Sequence, residues 1–190
     1  MQTRELKLTY QNEDFGKPNK DGTWSIRNDI KTYTLIENDV EIVDITIEYE
    51  RFSNKQPDYA CAHVSYSNHF FNTNHPKYEN KGYASIALET ITEFLLRDGK
   101  VPKISLDINP NNLASKRVAE KNGYIYVMNN EYSIYHPNAL KMIEHGLEYL
   151  KKEDEDLYNT QLNFNIKRMK IYLENCIKQS EKDKERRKLK

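Results

Sequence analysis

The fold of this chain is decided by residues 81–124, KGYASIALETITEFLLRDGKVPKISLDINPNNLASKRVAEKNGY. The first part carries apolar residues at the three- and four-residue spacing of a helix: Ala84, Ala87, Leu88, Ile91 and Leu95. A strand pattern follows over 104–108, and a second helix is predicted over 112–121. Gly99 and Gly123 stand where these helices end, because glycine accepts the left-handed backbone that closes a helix. The stretch therefore predicts a helix–strand–helix unit.

Strand patterns flank this unit on both sides, since apolar and polar residues alternate there with a period of two. They lie near 6–10, over 31–37, 40–52 and 59–69, and after the unit near 124–128 and 131–135. Asn38 and Asp39 join two of these runs, and both residue types tolerate the backbone of a tight hairpin turn. The chain is therefore predicted to be an α/β protein with a mixed, mostly antiparallel central sheet.

Helical patterning from Pro137 to the end of the sequence predicts a further unit. Two apolar stripes run through it, formed by Leu140, Ile143, Leu147 and Leu150 and by Leu162, Ile166, Met169, Leu173 and Cys176. We therefore divide the chain into an α/β domain, residues 1–136, and a C-terminal helical extension, residues 137–190. Because exposed apolar stripes favour association, the extension is expected to pack on the sheet, or on a second subunit to form a homodimer.

Composition excludes several classes of function. The 190 residues include 29 Lys and Arg and 29 Asp and Glu, so no nucleic-acid partner is expected. A mean hydropathy of −0.91 and the lack of a long apolar run predict no membrane span, and the N-terminus has no apolar signal segment. The two cysteines, Cys61 and Cys176, form no disulfide framework. We expect a cytoplasmic protein with reduced thiols.

Gly82 is the first candidate for ligand binding. It stands between a strand and the first turn of a helix, where free backbone N–H groups and the helix dipole favour an anion. Glycine also removes the side chain that would keep a ligand away from the backbone. The glycine-rich phosphate loops Gly-x-x-x-x-Gly-Lys-Ser/Thr and Gly-x-Gly-x-x-Gly are absent. Taken alone, a single glycine here is more often an ordinary loop residue.

A second motif lies one helix–strand unit further on, in residues 108–124, INPNNLASKRVAEKNGY. Together with residues 78–84, YENKGYA, it resembles the GNAT superfamily of acetyl-CoA-dependent N-acyltransferases. The earlier segment is similar to the pyrophosphate loop of that superfamily, Arg/Gln-x-x-Gly-x-Gly/Ala. The later one resembles the strand end and helix of its ribosomal-protein N-terminal acetyltransferase-like branch. The resemblance covers about residues 60–127.

The resemblance implies acetyl-CoA as co-substrate and a set of site residues. Backbone N–H groups of the loop would hold the pyrophosphate, at Lys81, Gly82, Tyr83, Ala84 and Ser85. The amide of Asn112 would bond the pantetheine arm or the groups around the thioester. Ser115 would lie near the thioester sulfur and pass a proton to the leaving thiolate. A backbone N–H between 66 and 69 would stabilise the oxyanion of the tetrahedral intermediate.

Several features depart from the family pattern. Glu79 stands where the family prefers Arg or Gln, and Asn109 replaces the usual Asp. Ala119 holds the place where many relatives carry a Tyr proton donor. Residues 11–30 are too short and too rich in turn formers for the two helices that wall the acceptor site in many relatives. The C-terminal extension is therefore a candidate to replace these walls.

The implied activity is direct acetyl transfer to a primary amine in a ternary complex, with a protein or peptide N-terminal amine as the leading acceptor. An α-amine, with a pKa near 8, is about one-tenth neutral at pH 7, so a weak base suffices. The candidate bases are Glu48, Glu50, His63 and Asp107. Two alternatives stay open: a small-molecule amine as acceptor, and a non-catalytic module that binds coenzyme A or a partner.

No metal site is expected from the distribution of ligand-type residues. Cys61, His63, His69 and His75 lie on one predicted strand and the loop after it. Their spacing fits no standard metal site. The prediction for this chain is therefore acetyl-CoA and an amine, without a metal ion.

Overall fold

The structure, a computed structural model, describes residues 4–69, 78 and 80–188. The strands in these ranges are β1 (Arg4–Gln11), β2 (Asp29–Glu37), β3 (Val40–Arg51), β4 (Tyr59–Asn68), β5 (Lys103–Asp107), β6 (Ile125–Met128) and β7 (Glu131–Tyr135). The helices are α1 (Tyr83–Asp98), α2 (Leu113–Lys121), α3 (Ala139–Glu153) and α4 (Glu155–Lys188). None of these helices is both long enough and apolar enough to cross a membrane. Glu79 and His75, which the sequence analysis singled out, lie outside the described residues.

The strands form one seven-stranded sheet in the order β1-β2-β3-β4-β5-β7-β6. Neighbouring strands are antiparallel except for β4 and β5, which are parallel and are connected through α1. A parallel pair needs such a crossover, because a tight turn can join only antiparallel strands. The predicted α/β class with a mixed, mostly antiparallel sheet is confirmed.

Two tight hairpins set the register of two antiparallel pairs, β2 with β3 and β6 with β7. Asn38 and Asp39 have φ angles of 51° and 63°, and Asn129 and Asn130 have φ angles of 47° and 69°. Left-handed backbone at both central residues is the geometry of a type I′ turn, whose twist matches that of the flanking strands. The predicted hairpin at residues 38–39 is confirmed, and a second one joins β6 to β7.

The core lies between one face of the sheet and the helices α1 and α2. Its buried side chains come from β3, β4, β5 and α1, and they include Ile45, Ile47, Ala62, Val64, Ala87, Leu88, Ile91, Leu95 and Ile104. All of them are less than one-tenth exposed. α1 therefore covers β3 and β4 with the apolar stripe that the sequence predicted, and Gly99 closes the helix with a φ of 64°.

The other face of the sheet is polar, and α3 and α4 cover part of it. Thr32 and Thr46 are hydrogen-bonded across β2 and β3 on this face, as are Glu50 and His63 across β3 and β4. The two helices pack against each other and against Phe52 through a second, smaller cluster, formed by Ile143, Leu147, Leu150, Tyr158, Leu162 and Met169. The helices of the predicted extension thus lie on the sheet of their own chain.

Two residues of the predicted apolar stripes point to solvent instead. Leu140 is 40% exposed and Leu173 is 55% exposed. Both lie on the outer side of their helices, because only about a third of each helix faces the sheet or the neighbouring helix. Each predicted apolar stripe therefore contains one residue that is exposed, Leu140 in α3 and Leu173 in α4.

The segment between β1 and β2 contains no helix or strand. Its Trp24 ring covers the buried Arg51 guanidinium, with 4.5 Å between the guanidinium carbon and the ring centroid. Arg51 also pairs with the buried Asp29. The centroid of the Tyr59 ring lies 4.4 Å from the same guanidinium carbon. These contacts hold the segment at the end of β3, in place of the two helices that the sequence was too short to form.

Candidate active site

The sheet opens between β4 and β5, and this opening is the centre of the candidate site. Parallel pairing of these strands is limited to Ala62 with Ile104 and His63 with Ser105. β4 continues to Asn68 and remains paired with β3 over this length. The backbone groups of β4 beyond His63 that face β5 therefore have no ladder partner in the described part of the chain. Such groups are free to form hydrogen bonds with an extended ligand, which would lie along β4 as a neighbouring strand does.

Gly82 forms the turn that leads from this region into α1. Its φ and ψ of 80° and 11° are left-handed, and no side chain among the described residues caps the helix that follows. The first internal bond of α1 runs from the Ile86 N–H to the Gly82 carbonyl, at 3.0 Å. The N–H groups before Ile86 have no partner within the helix, and no acidic residue lies in its first turn. The turn has the geometry of an anion site.

The side chains of this turn have structural contacts of their own. The Tyr83 hydroxyl donates to the Glu37 carboxylate, and the Ser85 hydroxyl accepts a hydrogen bond from the Asn122 amide at 3.0 Å. Both side chains are buried, whereas Lys81 is exposed and Ala84 is half-buried. The five residues predicted to hold pyrophosphate therefore lie together on one turn, where the backbone of the turn is left for a ligand.

Asn112 and Ser115 lie together at the start of α2. The Asn112 Oδ1 accepts a hydrogen bond from the Ser115 N–H at 3.0 Å, so Asn112 is the N-cap of this helix. The predicted role of this amide was a ligand contact, and its role as a cap is an additional finding. The cap occupies the carboxamide oxygen, which leaves the NH₂ group to donate to a ligand.

Tyr66 is a site residue that the sequence analysis did not single out. It lies on β4 beyond the last pair with β5, and its side chain is on the same face as α2. Burial raises the pKa of the Tyr66 phenol, and the nearby Ser115 side chain reduces that rise. The two hydroxyls are therefore neighbours beside the opening. The alternation along β4 puts Tyr66 on the same face as Ala62 and Val64, but sequence alone does not give the position of α2.

The anion turn and the Asn112–Ser115 pair lie at opposite ends of α2. Asn122, at the C-terminal end of α2, is the residue that bonds Ser85 in the first turn of α1. The nine residues of α2 span about 13 Å at 1.5 Å per residue. The arrangement fits an elongated ligand with an anionic group at one end and its reacting group at the other.

Two of the four candidate bases, Glu50 and His63, form a pair on the polar face. The His63 Nε2 lies 2.7 Å from Glu50, and its Nδ1 lies 2.9 Å from the Ser105 hydroxyl and 4.0 Å from the Cys61 sulfur. Contacts with Cys61 and then Glu50 raise the pKa of His63 to about 10. The His63 hydrogen bond lowers the pKa of Glu50 to about 2. At neutral pH this pair is an imidazolium and a carboxylate, so neither member is poised to take a proton.

The other two candidate bases differ in position. Glu48 is half-buried on β3, directly opposite His63, and Asp107 is exposed at the end of β5. His69, from the predicted cysteine and histidine set, pairs with Asp44 at 2.7 Å. Within the ranges that the structure describes, no three His, Cys, Asp or Glu side chains come close enough to hold a metal ion.

A family model for the GNAT acetyltransferase domain matches residues 25–125, which is more than half of the chain. The chain therefore belongs to the GNAT acetyltransferase family, and the family predicted from the two motifs is confirmed. The matched region contains β4, the Gly82 turn, α1, β5 and α2, the elements that form the candidate site. A search of curated proteins found no match.

Solved structures with a similar fold include three acetyltransferases. RimL, a ribosomal L7/L12 α-N-protein acetyltransferase in complex with coenzyme A, is 16% identical with a TM-score of 0.44, over 56% of this chain and 62% of that one. The ribosomal-protein-S5-alanine acetyltransferase from Vibrio fischeri is 15% identical with a TM-score of 0.45, over 57% and 63%. The aminoglycoside acetyltransferase AAC(6')-Ib in complex with coenzyme A is 16% identical with a TM-score of 0.43, over 59% and 69%. This chain thus spans less than two thirds of the first two proteins, and the ribosomal-protein-like branch stays a prediction.

Proposed function

We propose that the protein transfers an acetyl group from acetyl-CoA to a primary amine by direct attack in a ternary complex. The observations that carry this proposal are the opening between β4 and β5, the Gly82 turn before α1 and the Asn112–Ser115 pair at the start of α2. Coenzyme A has an anionic pyrophosphate and a long arm that ends in the thioester. The Gly82 turn suits the pyrophosphate, and the free edge of β4 suits the long arm.

In this proposal each part of the site has a separate task. The backbone N–H groups at residues 81–85 bind the pyrophosphate, and the Asn112 NH₂ group bonds the pantetheine arm. A backbone N–H on β4 beyond His63 stabilises the oxyanion that forms when the amine attacks the thioester carbon. The C–N bond forms first, and the nitrogen of the tetrahedral intermediate loses a proton to solvent. The intermediate then collapses with cleavage of the C–S bond. Ser115, beside Tyr66, passes its proton to the departing thiolate and regains one from solvent.

The proposed acceptor is a protein or peptide N-terminal amine. The charged state of the Glu50–His63 pair supports it, because a protonated imidazole cannot take a proton from the amine, and this favours an amine that is already partly neutral. An α-amine meets this condition at pH 7, whereas a Lys side chain does not. A small-molecule amine is the alternative acceptor. A coenzyme-A-binding module without activity is the alternative function.

We also propose that the domain at residues 1–136 carries the chemistry and that the extension at 137–190 forms part of the acceptor site. The contacts of α3 and α4 with the polar face of the sheet support this division. Both cysteines are free thiols, which supports the predicted cytoplasmic location. Association through α4 into a homodimer remains a proposal, and the exposed Leu173 and Ile177 support it.

The test measures coenzyme binding and thiol release with the full chain. Calorimetry with acetyl-CoA should give binding heat, and peptides with a free N-terminus should release coenzyme A faster than the same peptides with a blocked one. Asn112→Asp should keep the α2 cap but lose activity, because a carboxylate accepts the Ser115 N–H and has no N–H to donate. Binding without release from any amine would favour the inactive module, and absence of binding would refute the proposal.

A further inference from the structure

A cavity of about 420 Å³ lies between the polar face of the sheet and the helices α3 and α4. We propose that it is the acceptor pocket and that the acceptor has both a free amine and a side-chain carboxylate. Arg168 and Lys103 would bind this carboxylate. This inference rests on the proposed acetyl transfer and names the class of acceptor. The volume of the cavity lies in the range of small-ligand pockets.

The cavity reaches the point where the sheet opens. Its floor includes His63 on β4 and Lys103 on β5, and His63 belongs to the last pair before the two strands separate. An amine that enters the opening from the polar face therefore leaves the rest of its molecule in the cavity. Coenzyme A would approach the same opening from the face that carries α1 and α2.

Two cations of the cavity share a single carboxylate. Glu131 accepts hydrogen bonds from the Ser133 hydroxyl at 2.6 Å, from the Lys103 ammonium at 3.4 Å and from the Arg168 guanidinium. Lys103 and Arg168 are only 18% and 16% exposed, so water screens their charges weakly. Burial alone would raise the pKa of Glu131, but the charge of Lys103 and the two other donors lower it. Among the residues that the structure describes, one positive charge is left without a counterion.

The remaining charged groups that line the cavity do not supply that counterion. The carboxylate of Glu50 already faces His63, and the guanidinium of Arg51 already faces Asp29. The cavity wall from α3 and α4 adds apolar and amide side chains, and Arg168 is its one charged residue among those described. The cavity as a whole is therefore positively charged.

Arg168 also has a donor that nothing in the described chain satisfies. Its Nε is buried and has no hydrogen-bond partner, while its Nη2 binds Glu131. A buried donor without a partner is unfavourable, and a guanidinium presents its donors in a fork that matches a carboxylate. A carboxylate of the acceptor would satisfy both the orphan Nε and the excess charge.

The spacing along β5 favours a carboxylate on a side chain. Lys103 and Ser105 are two residues apart in a strand, about 6.6 Å, and Ser105 lies at the start of the opening. An amino acid holds its amine and its α-carboxylate on one carbon, through bonds of about 1.5 Å each. An acidic side chain near the N-terminus of a peptide spans the longer distance. Polycationic acceptors such as aminoglycosides are disfavoured, because the cavity repels them.

The experiment compares acceptors that differ only in charge. The full chain is given acetyl-CoA and one of three C-terminally amidated peptides, Ser-Glu-Ala-Ala, Ser-Gln-Ala-Ala or Ser-Lys-Ala-Ala, or free glutamate. We expect kcat/KM for the Glu peptide to exceed that for the Gln peptide by about tenfold, mainly through KM, with the Lys peptide lower still. Arg168→Gln should remove the preference, and Arg168→Lys should restore part of it.

The control is Lys167→Gln, which removes a positive charge from the neighbouring but exposed position of α4 and should keep the preference. Thermal unfolding and acetyl-CoA binding check that each variant is folded. Equal turnover of the Glu and Gln peptides by the wild type would overturn this inference and leave acetyl transfer standing. Better turnover of free glutamate than of the Glu peptide would overturn the choice of a peptide side chain. Thiol release from none of the amines would overturn the proposed function itself.

Discussion

Gly82 and Gly99 stand at the two ends of α1 with the same kind of left-handed backbone, yet only Gly82 faces the candidate coenzyme site. Their φ angles are 80° and 64°. A Cβ at Gly82 would meet no atom within 4 Å, and one at Gly99 would meet only the His136 ring at 3.9 Å. Space is therefore available at both positions, and the strain of the left-handed backbone decides the cost of a side chain.

We expect Gly82→Ala and Gly99→Ala each to lower the free energy of unfolding by about 1 kcal/mol. Gly82→Asp should also weaken acetyl-CoA binding by about tenfold or more, because it places a negative charge beside the pyrophosphate. Gly99→Asp is the matched control, since it adds the same charge at the far end of α1. Urea unfolding and calorimetric titration measure the two effects. Equal acetyl-CoA affinity in Gly82→Asp and the wild type would place the pyrophosphate elsewhere.

The Glu50–His63 pair predicts a particular pH dependence of stability. The pKa of His63 is raised from 6.5 to about 10, so its contribution is complete below pH 6.5 and is lost as the pH rises toward 10. The pKa of Glu50 is lowered from 4.5 to about 2, so its contribution is complete above pH 4.5 and is lost as the pH falls toward 2. Both groups are mostly charged in the folded and also in the unfolded chain only between about pH 4.5 and 6.5.

Glu50→Gln should therefore lower the free energy of unfolding most between pH 4.5 and 6.5, on the order of 1 kcal/mol, since both side chains are partly exposed. The loss should shrink toward pH 10. Glu48→Gln, on the same strand and face, should show a smaller and flatter difference. Urea titrations at several pH values give the curve. A loss that grows between pH 6.5 and 10 would contradict the assignment of charge to His63.

At the scale of elements, α3 is docked through a glycine rather than through its apolar stripe alone. Gly146 lies in the middle of α3, where a Cβ would overlap the Phe52 ring. The Gln56 amide donates to the Gly146 carbonyl at the same place. Glycine is unfavourable inside a helix by about 1 kcal/mol relative to alanine, so close approach to the end of β3 explains its presence.

Gly146→Ala should lower the free energy of unfolding by about 1 kcal/mol, because displacement of Phe52 outweighs the gain in helix propensity. Leu140→Ala, on the exposed side of the same helix, should change it by less than about 0.5 kcal/mol. Thermal and urea unfolding of the two variants measure this difference. A more stable Gly146→Ala protein would mean that α3 lies farther from Phe52 than the structure places it.

At the scale of the whole molecule, the described residues form two hydrophobic clusters of unequal size. The larger one lies between the sheet and α1 and α2, and it includes Ile45, Ile47, Leu88 and Ile104. The smaller one holds α3 and α4 together through Ile143, Leu147, Leu150 and Tyr158. Because buried apolar area supplies most of the stability, the two clusters differ in how much energy is needed to open them.

We therefore expect α3 and α4 to open in a separate, lower-energy step than the sheet. In native-state hydrogen exchange, the amides of α3 should exchange through an opening that costs less than global unfolding, whereas those of Ile45 and Ile47 should exchange only through global unfolding. The exposed, charged end of α4, over residues 180–187, should exchange fastest. Equal protection of α3 and β3 would show that the two clusters unfold as one.

Local order along the chain could be predicted from residue patterns, because local geometry is encoded locally. The alternation in β4, the stripe of α1 and the Asn38–Asp39 turn each depend on neighbours a few residues away. The same is true of the Gly82 turn, since a helix start leaves its N–H groups free whatever packs around it. The family motif is also local, and it was recognised in two short segments.

Contacts between distant residues needed the tertiary structure. The pairing of Glu50 with His63, the position of Tyr66 beside Ser115, and the meeting of Arg168 with Lys103 and Glu131 join residues from different elements. The periodicity of one element does not indicate where another element packs on it. For the same reason Leu140 and Leu173 were predicted to be buried, although both are exposed. The sequence by itself determined most of the elements and the glycine turn at the start of α1. Only the tertiary structure decided which charges meet in the cavity, because a charge acts through space on neighbours that the chain order does not reveal.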